Sequence, residues 1–131
     1  MKKKILIVED DPFTQQFYAF LFNKTDHEIL ITENIDDILM YLDNKEINLI
    51  IMDINLKNTT LNNKHTNGIE IAQYLKENEK YSHIPIIVIT AYENKISNNM
   101  LFDKTLFDDY LVKPINDFNF LLDKINRLVN K

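Results

Sequence analysis

Four short apolar runs in this sequence end on residues that can do chemistry. Ile5–Val8 leads into Glu9, Asp10 and Asp11; Leu49–Met52 ends on Asp53; Ile86–Ile89 ends on Thr90; Tyr110–Val112 ends on Lys113 and then Pro114. Taken singly, each has an ordinary role, because Asp and Pro favour turns and helix starts, Thr suits a strand, and Lys suits a solvated end. Taken together they form a set. Carboxylates brought close repel one another and need a cation. An all-oxygen set favours Mg2+, which accepts a few carboxylates and keeps several waters. A metal beside Asp53 would neutralise charge on an incoming phosphoryl group. Lys113 would offer a point charge to that group's oxygens, and Thr90 a hydroxyl. A carboxylate so placed can act as a nucleophile and form an acyl phosphate, and Asp53 is the candidate.

These residues meet only if the runs are neighbouring strands that point the same way. A fifth run, Glu28–Thr32, completes the series and ends on Thr32. Most of the runs are continuous rather than alternating, as expected of strands covered on both faces. Helical periodicity fills the gaps. Phe13, Phe17, Phe20 and Leu21 fall on one face, as do Ile35, Ile38, Leu39 and Leu42. Ile71, Ala72 and Leu75 make a shorter stripe after Gly68, and Phe118, Leu121, Leu122, Ile125, Leu128 and Val129 make the clearest, with Asn116 placed to cap it. Glu93–Leu106 is the least periodic segment and is expected to be a helix as well. Pro12 belongs to a first helical turn behind a capping Asp11, Pro85 precedes a strand and Pro114 follows one. Alternating strands and helices predict right-handed crossovers and a parallel five-stranded sheet with helices on both faces. In such a sheet the site forms at the carboxyl ends of the strands, where strand order reverses. With no repeat, low-complexity tract or linker, residues 1–131 read as one domain.

Composition narrows the function. With 20 acids against 15 bases the net charge is −5, so direct nucleic-acid binding is not expected. The single glycine, Gly68, excludes the glycine-rich phosphate loops of P-loop and dinucleotide-binding enzymes. The absence of cysteine excludes disulfides, thiolate metal sites and cysteine nucleophiles, and suits a cytoplasmic location. No apolar run approaches a membrane span, and the opening "MKKKILIVEDD" turns acidic too soon for a signal peptide.

The segments "ILIVEDD" (5–11), "LIIMDIN" (49–55), "IPIIVITA" (84–91) and "DYLVKPI" (109–115) occur in this order and spacing. On these motifs the chain resembles, over essentially its whole length, a receiver domain of the two-component response regulators. The resemblance implies a flavodoxin-like (βα)5 fold and phosphorylation of Asp53 by a sensor histidine kinase or a histidine phosphotransfer protein. It implies Mg2+ held by Asp10, Asp53 and the backbone carbonyl of Asn55, with Glu9 acting through water. It implies that Thr90 and Tyr110 rearrange together to report phosphorylation, and that the Lys113–Pro114 bond is cis. The expected output is contact with a downstream protein, by a monomer or a phosphorylation-dependent dimer, since no effector domain follows the last helix.

Two stretches depart from the family pattern. "LKNTTLNNKHTNG" (56–68) is longer than usual, with Lys57 where proline is common, and Lys104 to Phe107 replace the usual small residues before the last strand. Lys57 to Asn67 contains Leu61 as its only apolar residue, so that loop is expected to be mobile or folded against the surface, with His65 solvated. Phe120 lies opposite the apolar stripe of the last helix and is expected to be exposed. An alternative is a phosphoaspartate-forming phosphatase or phosphotransferase. Such enzymes present a second acid two residues after the nucleophile for proton transfer, and here that position is Asn55. A further alternative is a receiver module of a larger regulator or hybrid kinase.

Overall fold

The computed structural model describes residues 2–56, 59–61, 63–91 and 107–130. Five parallel strands form one sheet: β1 (Lys4–Val8), β2 (Glu28–Thr32), β3 (Leu49–Asp53), β6 (Ile86–Thr90) and β7 (Asp109–Val112), in the spatial order β2-β1-β3-β6-β7. Two further strands, β4 (Thr60–Leu61) and β5 (Lys64–His65), make a small antiparallel hairpin. Among the described residues four helices accompany them: α1 (Pro12–Phe22), α2 (Ile35–Asn44), α3 (Gly68–Glu77) and α4 (Phe118–Val129). The expected helix over Glu93–Leu106 lies outside the described residues.

Strand alternation divides the apolar residues between two cores. Leu6, Val8, Ile50, Met52, Ile86 and Val88 face one side, where Ile38 of α2 and Ile71, Ala72 and Leu75 of α3 cover them. Ile5, Ile7, Leu49, Ile51, Ile87, Ile89 and Leu111 face the other side, under Tyr18 and Phe22 of α1 and Leu121 and Ile125 of α4. Because both faces are covered, β1, β3 and β6 are apolar at nearly every position, and each fully buried Ile, Leu or Val contributes about 1.5–3 kcal/mol. The ring of Phe22 meets Phe118 edge-on at 5.2 Å and joins α1 to α4.

Each helix opens on an Asp or Asn whose side chain accepts from free backbone N–H groups: Asp11, Asn34, Asn67 and Asp117. The cap of α4 is Asp117, not Asn116; Asp117 Oδ1 receives Asn119 N–H at 3.0 Å and Phe120 N–H at 3.4 Å. The face that α1 buries also differs from its aromatic stripe. Phe13 is 83% exposed and Phe20 62%, whereas Tyr18 and Phe22 are buried. The helix is apolar on nearly every side, so the sheet decides which side goes in.

Between β3 and α3 the described residues include the β4–β5 hairpin, with Asn63 at φ 66°, a conformation that Asn tolerates. Its ends are tied down. Thr59 and Thr66 are buried, and Thr66 N–H donates to the Thr59 carbonyl at 3.0 Å. Thr59 Oγ1 donates to the Glu33 carbonyl at 3.0 Å, and Thr66 Oγ1 to Glu70 Oε1 at 3.1 Å. His65 is exposed, yet its Nε2 is 2.9 Å from the Leu56 carbonyl, so it is not merely solvated. The hairpin therefore bridges the end of β3, the β2–α2 loop and the first turn of α3.

Candidate functional site

The chain runs from β1 outward to β2, then back past β1 to β3, so strand order reverses between β1 and β3. The carboxyl ends of those two strands carry Glu9, Asp10 and Asp53, the acids whose spacing suggested a cation site. All three are buried, with one carboxylate oxygen from each lying within 4.8 Å of the others. Asp11 is used differently: Thr14 N–H and Thr14 Oγ1 both donate to its Oδ2, at 3.0 and 2.6 Å, so its carboxylate starts α1.

The backbone fixes these acids. Glu9 N–H donates to the Thr32 carbonyl at 3.1 Å, and Gln15 of α1 donates through Nε2 to the Glu9 carbonyl at 2.6 Å. Asn55 N–H donates to Asp53 Oδ1 at 3.2 Å, turning the chain directly after β3. Ile54 N–H donates to the Ile89 carbonyl, and Gly68 N–H to the Ile54 carbonyl. That last bond draws α3 so close to Asp53 that a Cβ on Gly68 would collide with the Asp53 backbone. Sequence reasoning noted Gly68 as the one glycine but missed this use; its place at a helix start behind the capping Asn67 was the available signal.

One cation comes from across the sheet. Lys113 Nζ is 3.4 Å from Glu9 Oε1 and 3.4 Å from Asp53 Oδ1. Its backbone is held by Lys113 N–H donating to the Thr90 carbonyl at 2.7 Å, and the Lys113–Pro114 peptide is cis. Among the described residues Lys113 pairs with two of the three buried acids. Burial, then the charge of Asp53 and a hydrogen bond with it, push the Glu9 carboxyl up to about 7, against a smaller opposing pull from Lys113. A hard divalent cation suits such a donor set, which is all oxygen and anionic.

Thr90 is fully buried at the end of β6, opposite Val112. Tyr110 is half-buried on β7 opposite Val88, against the core under α2 and α3. It also borders a surface cavity with Pro114, Phe120 and Lys124. Phe120 is 50% exposed, and Lys124 Nζ lies 4.8 Å from its ring centre while bonding both Asp109 carboxylate oxygens at 2.9 Å. Asp53, Glu9, Asp10 and Lys113 are thus brought together, Asn55 follows directly, and Thr90 and Tyr110 stand on the two adjoining strands. Among the described residues no helix is long and apolar enough to cross a membrane.

Comparison with known proteins bears on the fold and the family. DivK, a polar-differentiation response regulator of Brucella anthropi, is 27% identical over 121 residues, which is 92% of each chain. The response regulator TrrA of Thermotoga maritima, solved in complex with Mg2+–BeF, is 27% identical, with a TM-score of 0.75 over 96% of this chain and 98% of its own. The receiver domain of a Pseudomonas aeruginosa sensor histidine kinase, solved with magnesium in its active-site cleft, superposes with a TM-score of 0.78 over both whole chains at 20% identity. The fold is the flavodoxin-like fold of CheY-like receivers. The response regulator receiver domain family matches residues 5–126, and the chain belongs to that family.

Proposed function

We propose that the protein is a phosphorylation-controlled signalling switch whose phosphoacceptor is Asp53. The observation that carries this reading is the placement of Lys113 Nζ at 3.4 Å from Asp53 Oδ1, inside a buried cluster with Glu9 and Asp10. A carboxylate beside a fixed cation and an acidic pair is arranged for attack on phosphorus, not for packing. The donor would be a phosphohistidine on a sensor kinase or phosphotransfer protein. An Asp53 carboxylate oxygen forms the new bond to phosphorus as the phosphorus–nitrogen bond breaks, and the departing imidazole takes up a proton.

Glu9, Asp10, Asp53 and the carbonyl of Asn55 would hold Mg2+, which when bound offsets negative charge on the transferring group. Lys113 keeps its charge on the phosphoryl oxygens, and Thr90 supplies a hydroxyl from β6. Movement of Thr90 with Tyr110 would carry the change to the surface between β7 and α4, where Phe120 contributes to contact with a downstream protein or a second copy. That is a population shift between two arrangements, and phosphate biases it.

The test is intact mass after incubation with acetyl phosphate and Mg2+. One added phosphoryl group on the wild type and none on Asp53→Asn is the expected result. Equal modification of both would remove Asp53 from the role.

A further inference from the structure

Buried hydroxyls in proteins have hydrogen-bond partners, and by that rule Tyr18 is out of place. It sits midway along α1, only 1% exposed, in the core between α1, α4 and the sheet. Its ring meets that of Phe17, and no described residue hydrogen-bonds its hydroxyl. Yet among the described residues no side-chain oxygen is sealed off without a partner. The hydroxyl must therefore be the part of Tyr18 that reaches open space.

That space is a cavity of about 440 Å³ which Tyr18 lines together with Thr14, Ala91, Lys113 and Pro114. Lys113 connects it to the acceptor site, since its Nζ stands 3.4 Å from Asp53 Oδ1. The alternation of the strands agrees. Asp53 continues the series Leu49, Ile51, and Glu9 the series Ile5, Ile7, so both leave the sheet on the face that α1 covers. Burial, and then the charges of Glu9 and Asp53, hold the phenol above its ordinary range, so it stays a donor. Phenylalanine would fill the same apolar volume; what tyrosine adds here is one O–H beside a cavity that Lys113 also lines.

We propose that the Tyr18 hydroxyl donates a hydrogen bond to the phosphoryl group carried on Asp53 and thereby prolongs the life of the acyl phosphate; this rests on the reading of Asp53 as phosphoacceptor. Loss of the group occurs when a water oxygen bonds phosphorus as the phosphorus–oxygen bond to Asp53 breaks, which restores the carboxylate and releases inorganic phosphate. In a loose transition state charge moves from the phosphoryl oxygens toward the departing carboxylate. A donor fixed on the phosphoryl oxygens therefore favours the intact acyl phosphate over that transition state.

Wild type, Asp53→Asn and Tyr18→Phe are incubated with acetyl phosphate and Mg2+, the donor is removed, and loss of the added mass is timed. Melting temperatures of the unphosphorylated proteins are measured alongside. The expected result is a label on wild type and Tyr18→Phe only, with a half-life roughly tenfold shorter in Tyr18→Phe, as suits a lost hydrogen bond to a charged group. The unphosphorylated Tyr18→Phe should melt no lower than wild type, because its hydroxyl has no partner among the described residues to lose. Equal half-lives would overturn the inference and leave the Asp53 assignment standing. A shorter half-life with a lower melting temperature would make the hydroxyl a packing group and overturn it too. No label on wild type, or an equal label on Asp53→Asn, would remove the acceptor reading and the inference with it.

Discussion

Gly68 packs its Cα directly against the backbone of Asp53: a Cβ there would meet the Asp53 carbonyl and lie 2.8 Å from its carbon and 2.9 Å from Ile54 Cα. The obstacle is backbone, so no side-chain rotation can relieve it. Gly68→Ala gains up to about 1 kcal/mol of helix propensity and loses about 1–3 kcal/mol to overpacking. The predicted net effect is destabilisation in urea unfolding, with slower phosphorylation from acetyl phosphate because the acceptor is displaced. A variant more stable than wild type would show that α3 is free to move away.

Lys113 and the metal address different charges. Lys113→Met removes the cation 3.4 Å from both Glu9 and Asp53. Phosphorylation is predicted to slow by about tenfold or more, the scale of one lost charge-assisted contact. Mg2+ affinity, measured by calorimetry, should stay equal or tighten because a competing positive charge has gone. Loss of Mg2+ binding in this variant would make Lys113 a structural support of the cluster instead.

Glu9 predicts a pH dependence of stability in the absence of metal. Its carboxyl titrates at about 7 in the folded protein and at 4.5 as an unperturbed group. Between those values the folded state holds a proton that the unfolded chain has released, so this contribution is complete below the lower value and lost as pH rises through the upper. Mg2+ competes with that proton, so its stabilising effect should be larger at about pH 8 than at about pH 5. Thermal melts of wild type and Glu9→Gln across this range check it: the metal-free wild type should lose stability with rising pH more steeply than Glu9→Gln. Parallel profiles would contradict the assigned environment of Glu9.

The strand ends were legible because a buried parallel strand demands a continuous apolar run, and four such runs stop on Glu9, Asp53, Thr90 and Lys113. The burial of α1 was not legible. Phe13, Phe17 and Phe20 form a good stripe, but Tyr18 and Phe22 form another, and only the position of the sheet chooses between them. Asn116 and Asp117 are equally able to cap α4 by residue type, so sequence alone did not choose between them. The hairpin was hidden because polar residues such as Thr60, Lys64 and His65 pair by backbone alone, and its buried contacts come from two threonines. Tyr18 reads in sequence as one more core aromatic, and only the cavity beside Lys113 gives its hydroxyl a use.

The outward stripe of α1 bears on protein donors. Phe17 lines the same cavity as Lys113, and Phe13 and Phe20 extend the exposed surface away from it. Phe13→Ser with Phe20→Ser is predicted to reduce phosphotransfer from a protein donor several-fold while leaving labelling by acetyl phosphate unchanged. Equal losses with both donors would place the effect on folding, which a thermal melt would confirm.

The threonine pins of the hairpin can be tested separately. Thr59→Val and Thr66→Val keep shape but remove the bonds to the Glu33 carbonyl and to Glu70. Each is predicted to cost about 1 kcal/mol and to speed amide hydrogen exchange in β4 and β5. Unchanged exchange in the double variant would show that the hairpin does not depend on these two bonds.

The central claim is that phosphorus bonds to the carboxylate of Asp53, and reductive trapping tests it most directly. Borohydride converts an aspartyl phosphate to homoserine, which peptide sequencing by mass spectrometry locates. After acetyl phosphate and Mg2+, homoserine is predicted at position 53 alone. Homoserine at position 10 or 11, or none with the protein demonstrably phosphorylated, would contradict the account.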